Sequence, residues 1–330
     1  MTTFNALRVT EKDSKFTLAI EKQELSSLPA GDVLIKVQYS SLNFKDVLVC
    51  RGTRGLTKEY PHTPGIDAAG IVEESSVAGI EVGDAVLVTG FDLGINTAGG
   101  FGEYIRVPAE WVQLIPSPLT VKDVMAYGTA GLTAGLSVLE ILENGISPED
   151  GPVAVSGASG GVGSIAIDML KSCGFSVTAV SNKNDDSDRL KQLGADDVIG
   201  STELNEDSPK ALLKPKWAAV VDTVGGTILA NFVKETKYGG VVTNCGMVAG
   251  NDMTVSVFPF IIRGVRLIGI DSVLCPVSRR DQVWKKIALE WHNDRIVSAY
   301  TEFALDKLHE AIAQKNDGKL RGRVLIKIQD

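Results

Sequence analysis

The stretch that most limits what this chain can fold into is 152–170, PVAVSGASGGVGSIAIDML. Pro152 to Ser156 reads as a short buried strand, Gly157 to Gly163 as a glycine turn, and Ser164 to Leu170 as the opening of an apolar-faced helix. The N–H groups at a helix start lack intrahelical partners, and the helix dipole favours an anion there. A dinucleotide pyrophosphate can reach them only where no Cβ stands in the way. Gly160, Gly161 and Gly163 remove those atoms, and Ser159 and Val162 complete the predicted cradle. Set against G-x-G-x-x-G, the first glycine position holds Ala158 with Gly157 just before it, which implies a slightly altered turn.

A length of 330 residues is long for one core and suits two domains. The formal charge of -8 argues against nucleic acid or an anionic membrane as a general partner. The N-terminus, MTTFNALRVTEKDSKFT, has no basic segment leading into an apolar one, and no run is expected to approach the roughly 20 apolar residues of a membrane span. A soluble, cytoplasmic protein is expected. Cys50, Cys173, Cys245 and Cys275 are scattered, as suits reduced thiols.

Residues 1–120 look β-rich, with FNALRVT, FTLAIEKQEL, DVLIKVQYS, AAGIVEES, DAVLVTG and EYIRVPA as short strand-like runs between Gly, Pro and Asp turns. A small irregular barrel or sandwich is predicted. From about Val121 an apolar helical stretch leads into the cradle, and strands then alternate with helices: 175–180, 196–200, 218–222, 240–246 and 265–270, with helices such as 185–193 and 226–237 between them. Such alternation predicts a parallel, doubly wound sheet, closed by a helix over 278–293. The last helix, LDKLHEAIAQ, and strand, GRVLIKI, are expected to return to the first domain. The expected division is 1–123 with 295–330, and 124–294.

These residues carry a resemblance over nearly the whole chain. NFKD (43–46), PGIDAAG (64–70), GD (83–84), GTAGLTA (128–134), GASGGVG (157–163) and LGAD (193–196) stand in the order found in the medium-chain dehydrogenase/reductase superfamily. PFIIRGVRLIGIDSV (259–273) and the closing GRVLIKI resemble its branch of acryloyl-CoA reductases and quinone oxidoreductase-like proteins. The resemblance implies an α/β fold: a GroES-like, β-rich catalytic domain, a Rossmann cofactor domain, a cleft between them, and hydride transfer from a nicotinamide.

Zinc is not expected. Where zinc-bearing relatives place a Cys and a His-Glu pair, this chain has Asn43, Ile66 and Asp67, and Ile66 has no donor atom. His62, His292 and His309 lack ligand spacing, and 84–107 contains no Cys. NADPH is the expected cofactor. The second strand of the cofactor domain runs into Ser181, Asn182 and Lys183, without the carboxylate that binds a ribose 2′-OH in NAD enzymes. Ser181 and Lys183 suit a 2′-phosphate, whereas the nearby Asp185 and Asp186 weigh against it. The resemblance also carries over Arg323 as a cofactor contact.

Hydride addition to an α,β-unsaturated carbonyl puts negative charge on oxygen, so the site needs donors there and a proton for the α-carbon. The amide of Asn43 is the candidate donor, with capping as its structural alternative. Asp46 is expected to order this loop. Phe44 replaces the tyrosine usual in the branch, leaving Lys45 or solvent as proton source. Thr129 and Thr133 are four apart, hence on one helical face, which the resemblance places near the nicotinamide. Tyr127 could reach substrate or lie in the core. Cys245 and Gly246, after a sheet strand, suit the lining of the cofactor site rather than nucleophilic work.

Lys45, Arg51, Arg54 and Lys58 form a basic cluster that suits the phosphates of an acyl-CoA and has no use for a quinone. The favoured reading is NADPH-dependent reduction of acryloyl-CoA, with quinone reduction as the alternative and a cofactor-binding protein without turnover as the competing class. The apolar strand 265–270 would be a sheet edge, and the resemblance implies that two copies pair there as a homodimer, the alternative being an edge covered by the 278–293 helix.

Overall fold

The computed structural model describes residues 2–204 and 208–329, less the side chain of Asn184. Two compact units emerge: Met1–Thr129 with Val273–Ala288 and Val297–Asp330, and Ala130–Ser272 with Leu289–Ile296.

In the first unit, Thr3–Lys12 and Lys15–Glu24 form a hairpin. Its two turn residues, Asp13 and Ser14, have φ of 51° and 59°, the left-handed pair that matches strand twist. The main sheet has seven strands. Tyr300–Ala304, Arg323–Lys327, Val33–Ser41, Asp67–Ser75, Ala85–Thr89 and Gln113–Leu114 lie side by side in that order, and Tyr104–Val107 also pairs with Val33–Ser41. Period-two alternation turns Val33, Ile35 and Val37 into a core with Val86, Val88, Phe101, Ile105, Val324 and Ile326. Fully burying each such side chain is worth about 1.5–3 kcal/mol.

In the second unit, six parallel strands stand in the order Asp197–Ile199, Val177–Val180, Val153–Ser156, Trp217–Asp222, Thr236–Asn244, Arg266–Gly269. This is the doubly wound order 3-2-1-4-5-6, with the switch point beside the glycine turn. The two central strands are buried throughout, which explains their unbroken apolar sequences.

Three expectations need correction. The stretch around Lys45 is a helix, Phe44–Cys50, because Asn43 and Asp46 start one: the Asn43 backbone N–H donates to the Asp46 carboxylate at 2.7 Å. The closing helix runs Val277–Lys286 and continues as a π-helical turn Ile287–Trp291, and Val273–Ala288 belongs to the first compact unit. Its anchor there is Arg280, fully buried, whose guanidinium donates to the Cys275, Thr89 and Val273 carbonyls and lies over the Phe91 ring. Last, Val121–Glu143 is long and apolar enough to cross a membrane by length and composition alone, but it is mostly buried, as a core helix is.

Candidate functional site

The glycine turn takes the predicted form. Helix Gly161–Ser172 begins after Gly160, with no side chain capping its N-terminus. The first bond of the helical ladder runs from Ser164 N–H to the Gly160 carbonyl at 3.1 Å, so the N–H groups of Gly161, Val162 and Gly163 precede the ladder. Gly157 supplies the left-handed residue, with φ of 58°, that Ala158 could not. The role of Gly163 differs from the one expected. A Cβ there would lie 2.5 Å from the Gly157 carbonyl oxygen, so this glycine lets the helix pack on its own turn rather than clearing a path for an anion.

Beside the turn, the Ser159 and Ser181 hydroxyls share a 2.7 Å hydrogen bond, and the Lys183 backbone N–H donates to Ser181 Oγ at 3.1 Å. Asn182 is engaged elsewhere, accepting from the Ser201 N–H and hydroxyl. Asp186, only 4% exposed, is gripped by Arg189 through Nε at 2.6 Å and Nη2 at 2.8 Å. At the C-terminal end of Trp217–Asp222, Asp222 accepts from Ser156 Oγ, the Gly225 N–H and Asn244 Nδ2, which shapes the turn facing the cradle. Burial pushes its carboxyl above the ordinary range despite those bonds. Cys245 follows with its N–H on the Asp222 carbonyl, and burial raises its thiol to about 12, which disfavours the thiolate form. A Cβ on Gly246 would meet the Thr223 carbonyl oxygen at 1.9 Å. Thr133 Oγ1 donates to Ser272 Oγ at 2.8 Å.

In the first unit the predicted residues gather around one carboxylate that local sequence cues do not single out for a role in the site. Asp67, fully buried, accepts from Asn43 Nδ2 at 2.7 Å, from Ser41 Oγ, and from Thr129 through its N–H at 3.0 Å and its hydroxyl at 2.6 Å. Arg323 Nη2 lies 4.0 Å away. The cause is a break in helix Val121–Glu143 at Gly128, whose φ of 52° and ψ of -155° are not helical. A break leaves carbonyls open before it and N–H groups open after it. Arg323 donates to the Ala126 carbonyl at 2.8 Å and to that of Met125 at 3.3 Å, while Asp67 takes the first N–H beyond. No side chain fits at Gly128: a Cβ there would meet Arg323 Nη2 and Asp67 Oδ2 at 2.6 Å.

This cluster bears on four expected roles. Asn43 is a capping and bracing residue, because its amide N–H groups are engaged by Asp67 and the Ser41 carbonyl, and its Oδ1 accepts from Arg323. Arg323 is no cofactor contact, being buried with its guanidinium committed to carbonyls of its own unit. Asp46 is fully buried and bonded to the Asn43 and Ile66 N–H groups, and desolvation raises its carboxyl to about 7 against those bonds. Tyr127 is completely buried, as a core residue is.

Lys45 is half-buried in the first helical turn, where the dipole disfavours a cation, and its ammonium has no side-chain partner among the described residues. Phe44 beside it is 52% exposed. Arg51 caps the opposite end of the same helix, roughly 9 Å from Lys45 along the axis. Its Nη1 donates to Asn316 Oδ1 at 2.9 Å, and Arg54 and Lys58 are exposed nearby in the chain. Asp67 and Asp222 adjoin apolar runs, a cue to burial but not to a role, whereas Arg189 stands at i+3 from Asp186, a spacing that signals their pairing.

Residues 29–117 match the family model of the alcohol dehydrogenase GroES-like domain and 161–292 that of the zinc-binding dehydrogenase. The site does not fit zinc, however. Ile66 is aliphatic, Asn43 and Asp67 are bonded to each other, and among the described residues no three His, Cys, Asp or Glu side chains come together to hold an ion. The chain is 39% identical to the quinone oxidoreductase YhfP of Bacillus subtilis over 99% of both chains, and 38% identical to the acrylyl-CoA reductase AcuI of Ruegeria pomeroyi over 98% of this chain and 99% of that one. The Salmonella enterica yhdH oxidoreductase, solved with NADP, superimposes with a TM-score of 0.96 at 38% identity, covering 98% of this chain and 100% of that one. The Bacillus subtilis yhfP structure, with NAD bound, superimposes at 0.97 and 39% identity over 99% and 100%.

Proposed function

Because the chain belongs to the medium-chain dehydrogenase/reductase superfamily and is an oxidoreductase of it, we propose that it uses NADPH to reduce an activated carbon–carbon double bond, with acryloyl-CoA as substrate and propionyl-CoA as product. One observation carries the cofactor: an uncapped, glycine-cleared helix start lies beside the Ser159–Ser181 hydroxyl pair, with no carboxylate at 181–183. The fit rests on the molecule: a Cβ at Gly157 would strike the Thr223 hydroxyl and one at Gly163 the Gly157 carbonyl, so these two glycines hold the turn in the shape that leaves the three N–H groups outside the helical ladder. The N–H groups of Gly161, Val162 and Gly163 hold the pyrophosphate, Ser159, Ser181 and Lys183 receive the 2′-phosphate, and Cys245 and Gly246 line the cofactor without reacting. When bound, NADPH supplies a hydride.

The remaining chemistry falls to the chain. With the Asn43 amide engaged by Asp67, Lys45 is the donor left in the NFKD motif to meet charge developing on the thioester oxygen. The α-carbon proton is held at Lys45 Nζ or comes from solvent, since Phe44 offers none. The thioester end of coenzyme A is separated from its phosphates by the pantetheine arm, and that separation suits Lys45 at one end of helix Phe44–Cys50 and Arg51 and Arg54 beyond the other. Replacing Arg51 and Arg54 together by Glu is expected to raise KM for acryloyl-CoA about tenfold at low salt and less at high salt, leaving NADPH affinity and quinone turnover unchanged. Quinone reduction, suggested by the likeness to YhfP, becomes the better reading if the unaltered enzyme reduces quinones readily and acryloyl-CoA not at all.

We also propose a homodimer. Strand Arg266–Gly269 is one edge of its sheet, and Val257, Ile261 and Ile262, 65%, 71% and 52% exposed, lie on or beside the preceding helix Phe258–Arg263. A monomer mass by light scattering would refute it.

A further inference from the structure

We propose that Arg189, held in place by Asp186, is the residue that discriminates a 2′-phosphate from a free 2′-hydroxyl on the cofactor's adenosine ribose. The inference rests on the NADPH reading and names a residue outside the 181–183 stretch. In doubly wound sheets the adenosine ribose is read at the end of the second strand, about 20 residues past the glycine turn. Here that strand is Val177–Val180, and the segment after it is acidic by sequence: Asp185, Asp186 and Asp188 lie within eight residues of its end. A run of free carboxylates at that point would favour a diol and repel a phosphate.

Tertiary structure reverses this for Asp186. Both of its oxygens accept from Arg189, at 2.6 Å and 2.8 Å, and the carboxylate is buried. The same guanidinium approaches the Ser159 carbonyl at 3.5 Å through Nη2, which brings it from helix Ser187–Gln192 back to the glycine turn. Ser159 is the residue whose hydroxyl meets Ser181. A guanidinium has five N–H donors, and Nε and Nη2 face Asp186 and Ser159, leaving the two on Nη1 without a partner among the described residues. A half-buried planar fork with open donors beside two serine hydroxyls is a built receptor for a phosphate oxygen, and it offers a ribose hydroxyl little. Asp186 is thus a positioning residue: it removes its own charge from reach of the ribose and fixes the plane of the fork.

The test is equilibrium binding by titration calorimetry, with 2′,5′-ADP and 5′-AMP as probes. Arg189→Ala should weaken 2′,5′-ADP about tenfold or more and leave 5′-AMP within twofold. Since that variant leaves Asp186 buried without its partner, Asp186→Asn/Arg189→Gln serves as the second variant, keeping hydrogen bonds while removing both charges. It should show the same selective loss, with an unchanged circular dichroism spectrum. If the folded double variant keeps the wild-type ratio of the two affinities, Arg189 is not the discriminator. A wild-type ratio near one would instead overturn the NADPH reading itself, a distinct outcome.

Discussion

The glycine cradle and the Asp67 cluster are both polar regions built at helix starts, and they treat their donors in opposite ways. At the cradle, helix Gly161–Ser172 begins with no side-chain cap, and the N–H groups of Gly161, Val162 and Gly163 precede its hydrogen-bond ladder. At the Gly128 break, a buried carboxylate takes the first N–H of the resumed helix and three side-chain donors besides, and a buried guanidinium takes the carbonyls on the other side. A region that leaves its helix dipole uncompensated is prepared for a ligand, whereas one that compensates it internally holds the fold. The contrast explains why Asn43 and Arg323, both plausible as site residues by position, serve bracing.

Three experiments would break or sharpen this contrast. The largest effect is expected from Asp67→Ala, which leaves Arg323 buried without its carboxylate and Asn43, Ser41 and Thr129 short of an acceptor. The cost should be about 3–5 kcal/mol of stability in urea unfolding, with dinucleotide affinity of the folded fraction within threefold of wild type. A stable variant that has lost dinucleotide binding would move Asp67 from brace to binding site.

Next is the pH dependence set by Asp46. Burial raises its folded carboxyl to about 7, above its ordinary value, so its favourable contribution is fully present at pH below about 4 and is lost as pH rises through 7. Asp46→Asn should remove that loss. The stability difference between variant and wild type should therefore grow between pH 4 and 7, by on the order of 4 kcal/mol, and level off above. A difference independent of pH would mean that Asp46 is ionised throughout.

The third acts on the cradle. Gly163→Val places atoms against the Gly157 carbonyl and Ala158 Cα, forcing the helix off its turn. Dinucleotide affinity should fall by up to about a hundredfold, the upper end of an overpacking cost of about 1–3 kcal/mol, as read by quenching of protein fluorescence. Unaltered affinity would show that the helix start is not the pyrophosphate site.

What the amino-acid order determined by itself is whatever depends on local chemistry and on period. The cradle is legible because strand, glycine turn and helix are contiguous, and Gly157 and Gly163 are required by the geometry of that one turn. The six-strand parallel order is legible because apolar runs such as WAAVVD alternate with helices and admit few windings. The tertiary structure alone decided which polar groups remain open. Asn43 and Arg323 are 280 residues apart, and Thr129 meets a carboxylate 62 residues away, so no spacing rule could show that these donors were already engaged. Asp186 is the converse: its bidentate partner is only three residues on, yet whether the pair closes depends on burial and on the approach of Arg189 to the glycine turn. A hydrogen bond is a statement about distance and desolvation, and both are set only when remote segments of the chain pack together.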